Sequence, residues 1–494
     1  MVVNWLGGCI SPESRVQVPE TPQIPYFHAM KSRFSALVLF GLLSVSAFGQ
    51  DSLIVRRLFD AALTEGSAYA NLRSLCKDVG HRLSGSPSAA KAVEWAYQRF
   101  SAMRLDRVEK QPCLVTHWER GKPESAWIKS RSGKLKVPVL ALGSSIATPK
   151  GGIDAQVIEV FSLDEVKALD PARVKGKVVF YNRPMNPTDI NTFTAYGGCV
   201  DQRGYGAVEA AKKGALAVVV RSMNLRLDDY PHTGNMRYED GVEKIPACAI
   251  STNGAEALHQ RLREDPNLVF HLEMDCKTFP DAPSHNVMGE ITGSTFPDQV
   301  IVIGGHLDSW DVGEGAHDDG AGVVQSIEVL HLFKTIGYKP RYTIRAVAFM
   351  NEENGMKGAL AYADSAAKKG ERHYAALESD EGGFSPRGFN VDATEETLGL
   401  IRSYSELLAP YLLRQIEKGY GGVDISPLRK QGTPLFGYAP DTQRYFDFHH
   451  AATDVFEGVN KRELELGAAS MAVLIYLIDQ HGLPEKAQVP PPGN

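Results

Sequence analysis

The chain has 494 residues, with 53 Lys and Arg against 59 Asp and Glu and a net charge of −6. That length suffices for more than one domain and an ample core. The mildly acidic balance, with no basic cluster, excludes nucleic acid as a partner, and no period of about 20–50 residues marks a solenoid.

Residues 1–29 are Pro-rich, have no apolar core, and read as a gene-model extension upstream of a true start at Met30. Within them, Leu6–Cys9 (LGGC) has the form of a lipoprotein box, but no apolar run precedes it. Directly after Met30, KSRFSALVLFGLLSVSAFGQ has a basic start, an apolar centre and a small-residue end. Residues 30–49 therefore read as a secretory signal peptide, too short to span a bilayer, with Gln50 left first after cleavage. The mature chain is expected to be secreted or periplasmic and contains no other apolar run long enough to span a membrane. Cys9 apart, Cys76, Cys113, Cys199, Cys248 and Cys276 remain, an odd set without a CxxC pair. At least one thiol is then free or intermolecular.

Residues 50–149 contain GHRLSGS (Gly80–Ser86) and HWERG (His117–Gly121). From about Gly152, the strand-like runs AQVIEVF, KVVFYNR and ALAVVVRS are separated by segments such as AVEAAKKG. None ends in a cluster of metal-ligand residues, which sets 150–257 apart as an insert. PHTGNMRYEDGVEKIPACAIS (Pro231–Ser251) closes it.

The chemistry lies in 258–484. Asp298–Ile303 (DQVIVI) reads as a buried strand, followed by GGHLDSWDVGEGAHDDGAG from Gly304 to Gly322. His306 and Asp308 thus sit just past a strand's carboxyl end, where open α/β sheets place ligand sites. Gly320–Phe333 (GAGVVQSIEVLHLF) opens a helix with small residues. Arg341–Glu353 (RYTIRAVAFMNEE) is a second strand, ending in adjacent glutamates, and Gly355–Ala363 resumes as helix. Leu377–Gly383 (LESDEGG) follows a third apolar stretch, and Phe446–Asp454 (FDFHHAATD) offers two histidines. Singly, these read as surface loops, a solvated acidic turn or structural histidines. Together, four strand-end segments supply His, Asp, Glu, Asp and His. Neutral imidazole and carboxylate without thiolate suit a catalytic zinc. Of two adjacent glutamates, one can hold metal while the other acts as general base. Residues 485–494 read as a flexible tail.

The order and spacing of these motifs resemble the co-catalytic dizinc aminopeptidase family, in its plasma glutamate carboxypeptidase (carboxypeptidase Q) branch. The match spans twelve residues from His306 to Asp318, thirty-five to Glu353, twenty-seven to Asp380 and seventy to His450. GHRLSGS, HWERG and the Pro231–Ser251 segment extend it over nearly the whole chain beyond the leader.

The resemblance implies a zinc-peptidase α/β fold, a mixed sheet sandwiched by helices, with 150–257 as an inserted β-rich protease-associated domain. It also implies two Zn2+ per chain: His306 and Asp380 on one, Glu353 and His450 on the other, Asp318 bridging. Glu352 would be the general base for a bridging water, and Asp308 the carboxylate that orients His306 through its other ring nitrogen. His449 competes with His450, Asp319 with Asp318, and Glu378 with Asp380; His317 matches no ligand and reads as a loop residue. The expected activity is exopeptidase cleavage of short peptides or dipeptides, with the recognised end left open. A homodimer is an expectation of the resemblance alone. A non-catalytic receptor-like protein and a glutaminyl cyclase are the alternatives on the same fold.

Overall fold

A strand segment that is apolar at consecutive positions must be covered on both faces, and three strands with such segments, at Val300–Ile303, Ala346–Phe349 and Ala375–Leu377, form the centre of this protein. The computed structural model describes residues 49–484. The expected upstream extension, the signal peptide apart from Gly49, and the tail lie outside them. Gly49–Leu53 are helical, and from Ile54 on the chain is one compact unit.

Strand β1 (Arg107–Glu119) belongs to the first sheet. The next eight strands build a second: β2 (Ser125–Ser130), β3 (Gly133–Lys136), β4 (Val139–Ala141), β5 (Ile153–Val160), β6 (Val178–Tyr181), β7 (Ala217–Arg221), β8 (Ala247–Ile250) and β9 (Val269–Glu273). Their order is β3-β2-β9-β5-β6-β7-β8-β4, with β5 to β8 parallel. Strands on either side of 150–257, namely β2–β4 and β9, thus complete its sheet. Helices such as α1 (Asp201–Ala211) alternate with the strands within it.

The chain then returns to the first sheet through β10 (Lys277–Ile291), β11 (Phe296–His306), β12 (Tyr342–Phe349), β13 (Arg372–Glu378), β14 (Pro386–Asp392), β15 (Gln415–Lys418) and β16 (Leu435–Pro440). The order β1-β10-β12-β11-β13-β16-β14-β15 is mixed: β12, β11, β13 and β16 run parallel, and β1–β10, β10–β12 and β14–β16 antiparallel.

Alternation along β11 builds two cores. Ile301 and Ile303 pack with Val323, Val324 and Ile327 of α2 (Ala321–Thr335) and Leu474 and Ile475 of α4 (Lys461–His481). Val300 and Val302 face the other way, into Ala359, Tyr362 and Ala363 of α3 (Lys357–Lys369). The sheet is therefore sandwiched by helices. Helix α4 starts where the Asn460 side chain accepts the N–H groups of Arg462 and Glu463, which satisfies donors a helix leaves free. Because β11, β12 and β13 are parallel, their carboxyl ends open at one edge. Among the described residues, no helix is long and apolar enough to cross a membrane. The five described cysteines are free and buried.

Candidate metal centre

His306 is the last residue of β11, Glu353 follows β12 by one short turn, and Asp380 lies two residues past β13. Asp318 precedes α2, and His450 stands in the loop after β16. The loop that leaves His306 is held by Arg82, the third residue of GHRLSGS, whose side chain is fully buried. Its Nε donates to Leu307 O at 2.6 Å, Nη1 to Glu314 O at 2.7 Å and Nη2 to Gly315 O at 2.8 Å. Two residues on, Ser84 Oγ accepts from Asn351 Nδ2 at 2.9 Å and donates to Thr116 O. This segment braces both acidic loops, a role not read from the sequence because its partners are main-chain carbonyls, two side-chain amides and a serine hydroxyl.

The five predicted ligands converge. His306 Nε2 is 3.2 Å from Asp318 Oδ1 and 3.2 Å from Asp380 Oδ1. His450 Nε2 is 3.1 Å from Glu353 Oε2 and 3.4 Å from Asp318 Oδ2. Asp318 thus offers one oxygen to each imidazole. In both rings the other nitrogen is engaged: His306 Nδ1 donates to Asp308 O at 2.9 Å, and His450 Nδ1 to Thr233 O at 3.3 Å. Each Nε2 lone pair therefore faces carboxylate oxygens, and a proton or a metal cation has to lie between them. Asp318 Oδ2 and Asp380 Oδ1 are buried with no hydrogen bond. Tetrahedral zinc at about 2.0–2.1 Å from its ligands sets neighbouring ligand atoms about 3.3–3.4 Å apart. The separations and the nitrogen–oxygen donor set fit zinc.

The electrostatics express the same crowding. Burial lowers the His306 imidazole, but Asp380 and Asp318 outweigh it and hold it well above its usual value. Burial pushes Glu353 well above the carboxylate range, with Asp318 adding to the effect. His450 is driven well below its usual value by burial and by His449. Glu352 is pushed up to about 8, first by burial and then by Asp380 and Asp308, against the pull of His306. So many carboxylates cannot all be charged together without cations.

The Asp308 carboxylate departs from expectation. Its Oδ1 is 4.0 Å from His306 Nδ1, and the carbonyl of the same residue orients the ring instead. The carboxylate accepts the N–H groups of Asn351 at 2.6 Å, Glu352 at 3.1 Å and Glu353 at 3.3 Å. It lies beyond easy reach of the imidazole because it fills the turn after β12.

The competing residues have other partners. Asp319 accepts His306 N at 3.0 Å and Gly322 N at 2.9 Å. Glu378 accepts Val423 N at 2.8 Å and Ile425 N at 2.9 Å. His317 is buried, stacks on Phe384 at 4.2 Å, and its Nδ1 accepts Gly383 N at 3.2 Å. His449 stays close, its ring stacked on His450 at 3.6 Å and within reach of Asp318. Asp454 accepts the N–H of His317 at 2.7 Å and of Asp318 at 3.1 Å, which sets the backbone at Asp318. Beside Asp380 opens a cavity of about 480 Å³, lined by Glu381, Phe193, Tyr420 and Tyr438 among others.

Peptidase family M28 matches residues 286–475. Carboxypeptidase Q of Homo sapiens is 37% identical over 414 residues, covering 84% of this chain and 85% of that protein. The Mus musculus carboxypeptidase Q is 36% identical over 414 residues, covering 84% and 86%. Among solved structures, a peptidase M28 precursor from Shewanella amazonensis superposes with a TM-score of 0.85 at 31% identity, over 90% of this chain and all (100%) of that one. A zinc aminopeptidase from Bacillus subtilis shares the fold, with a TM-score of 0.60 at 20% identity over 85% and 97%.

Proposed function

From the premise that the chain belongs to peptidase family M28, as a zinc-dependent exopeptidase of the carboxypeptidase Q branch, we propose that it is exported and hydrolyses short peptides or dipeptides at two zinc ions. The observation that carries this reading is Asp318, with one oxygen 3.2 Å from His306 Nε2 and the other 3.4 Å from His450 Nε2. A single-metal cyclase site has no need of such a divided carboxylate, and a receptor that does no chemistry has no need of five competent ligands. His306 and Asp380 would hold one ion, Glu353 and His450 the other, and Asp318 both.

Bound zinc supplies Lewis acidity toward the scissile carbonyl and lowers the pKa of water. Glu352 takes the proton of the attacking water and passes it to the departing amine nitrogen. Its burial makes it a stronger base than a solvated glutamate. Asp308 positions Glu352 and Glu353 by gathering their main-chain N–H groups. The cavity beside Asp380 receives one end of the peptide. The 150–257 segment, with the strands that extend its sheet, is the protease-associated insert, and the mature chain forms a homodimer.

Zinc content per chain of protein from Gln50 onward, with hydrolysis of free and end-blocked dipeptides on the same sample, tests this reading. Two zinc ions and chelator-sensitive cleavage are expected. One ion with pyroglutamate formation, or no metal and no turnover, would overturn it.

A further inference from the structure

We propose that residues 231–235, a loop of the second sheet, act with Arg203 as a clasp that positions the His450 imidazole and thereby sets zinc affinity at the Glu353–His450 position. The proposal rests on the reading of His450 as a ligand. The loop lies between β7 and β8, more than two hundred residues before the histidine it touches.

Three hydrogen bonds join the two segments. Thr233 N donates to His450 O at 3.0 Å, and His450 Nδ1 donates back to Thr233 O at 3.3 Å. His232 Nδ1 donates to His449 O at 2.7 Å, while its Nε2 accepts from Asn224 Nδ2 at 3.2 Å. The Thr233 side chain is itself tied down, donating to Ala141 O at 2.8 Å. Arg203, on α1, approaches the same carbonyl: its Nη1 is 3.4 Å from Thr233 O and 3.5 Å from His450 Nδ1, and its Nη2 donates to Tyr196 Oη at 2.6 Å.

Backbone conformation gives an independent reason for the clasp. His450 has φ 62, a left-handed conformation that a residue with a Cβ keeps only where its surroundings over-determine it. The three bonds from 232–233 supply that constraint.

Space gives another. Gly234 has φ 132, and a Cβ there would lie 2.7 Å from His450 Nδ1 and against the Arg203 guanidinium. Gly143 N donates to Gly234 O at 3.0 Å, and a Cβ on Gly143 would meet the ring of Trp310. Trp310 in turn donates its backbone N–H to Glu353 Oε1 at 3.2 Å. Two linked glycines of the second sheet therefore seat a proposed ligand and the neighbour of another.

A histidine ligand is oriented by the group that its second nitrogen meets, and loss of that group typically costs about 10–100-fold in metal affinity or activity. Here the group is a main-chain carbonyl, which no side-chain substitution deletes. Only displacement of the loop removes it, which makes Gly234 the sensitive position.

The test uses the mature chain and zinc alone, with affinity read by chelator competition and the melting temperature of each metal-free form recorded. Gly234→Ala is expected to bind two ions, one at wild-type affinity and one weakened about 10–100-fold, with the metal-free melting temperature lowered by the strain of a Cβ at φ 132. Arg203→Met should shift the same ion in the same direction, and Arg203→Lys should restore part of the loss. If Gly234→Ala fails to fold, Arg203→Met decides. If His450→Ala keeps both ions, the ligand reading fails and the clasp with it. If His450→Ala loses one ion while Gly234→Ala and Arg203→Met bind both normally, the clasp alone is overturned. A lower metal-free melting temperature with unchanged affinities would also overturn it, since the loop would then be packing only.

Discussion

The carboxylate of Asp308 accepts the backbone N–H of Glu352 at 3.1 Å, while its Oδ1 stands 4.0 Å from the imidazole Nδ1 of His306. The acid therefore controls the turn that carries Glu352 and Glu353. Asp308→Asn offers an amide NH2 where the turn supplies donors. It is expected to lower kcat about 10–100-fold with little change in zinc affinity at His306, whose ring is held by the Asp308 carbonyl. Steady-state kinetics beside a zinc titration checks this; an equal loss of zinc affinity would return the ring-orienting role to the carboxylate.

Glu352→Gln removes the proposed proton carrier and keeps its shape. Hydrolysis should fall by orders of magnitude, on the scale of about 10²–10⁴ for a general base, with zinc content and melting temperature retained. Activity within a few-fold of wild type would remove Glu352 from the mechanism.

The two adjacent histidines predict different metal counts. His450→Ala should lose one zinc per chain together with activity, because His450 Nε2 faces both Glu353 and Asp318. His449→Ala should keep both ions, its ring serving as a stacking partner at 3.6 Å. Metal analysis of the pair decides; the reverse pattern would assign the ligand to His449.

Arg82→Met leaves the carbonyls of Leu307, Glu314 and Gly315 without their donors. At about 1–3 kcal/mol for each buried orphan, destabilisation on the order of 3 kcal/mol or more is expected. Arg82→Lys rescues little, since a point charge cannot reproduce the guanidinium fork. Urea unfolding of the metal-free variants measures the difference.

Away from the metals, the buried Glu465 carboxyl is pushed up to about 7 by burial, with Glu328 adding to the shift against the Tyr69 N–H. Its folded pKa is raised above the unfolded one, so its contribution to stability is full below about 4.5 and is lost as pH rises through about 7. Glu465→Gln should flatten that decline and leave the variant the more stable protein at pH 8. Melting temperatures of metal-free protein at pH 5 and 8 test the sign; a wild type that gains stability across the range, relative to the variant, would refute it.

The parts of the site legible in the sequence were those with a side-chain signature. Asp298–Ile303, the strand within Arg341–Glu353 and the stretch before Glu378 contain apolar runs because both faces of the central sheet are covered, and just past them come His306, Glu353 and Asp380, which converge on the site. The functions of Arg82, Thr233 and Gly234 were hidden although their segments stood out. Arg82 and Thr233 act through main-chain carbonyls, Gly234 through the absence of a Cβ, and neither leaves a pattern of residue types. Asp308 was legible as a supporting acid, but its target was not, since the choice between a ring nitrogen and three backbone N–H groups depends on how the turn after β12 closes. The reach of the second sheet was also hidden: β2–β4 and β9 join it from outside 150–257 by pairing across long stretches of chain.

The divided Asp318 and its crowded neighbours have a consequence beyond turnover. Mutual repulsion among carboxylates weighs on the folded state only, because in the unfolded chain they separate. Metal binding relieves that burden and favours the folded state by mass action, contributing about 2.7 kcal/mol per site when free metal stands at a hundred times its dissociation constant. For a chain proposed to leave the cell, the persistence of the fold becomes a function of extracellular zinc supply. Scarcity would then shorten the protein's lifetime as well as silence it.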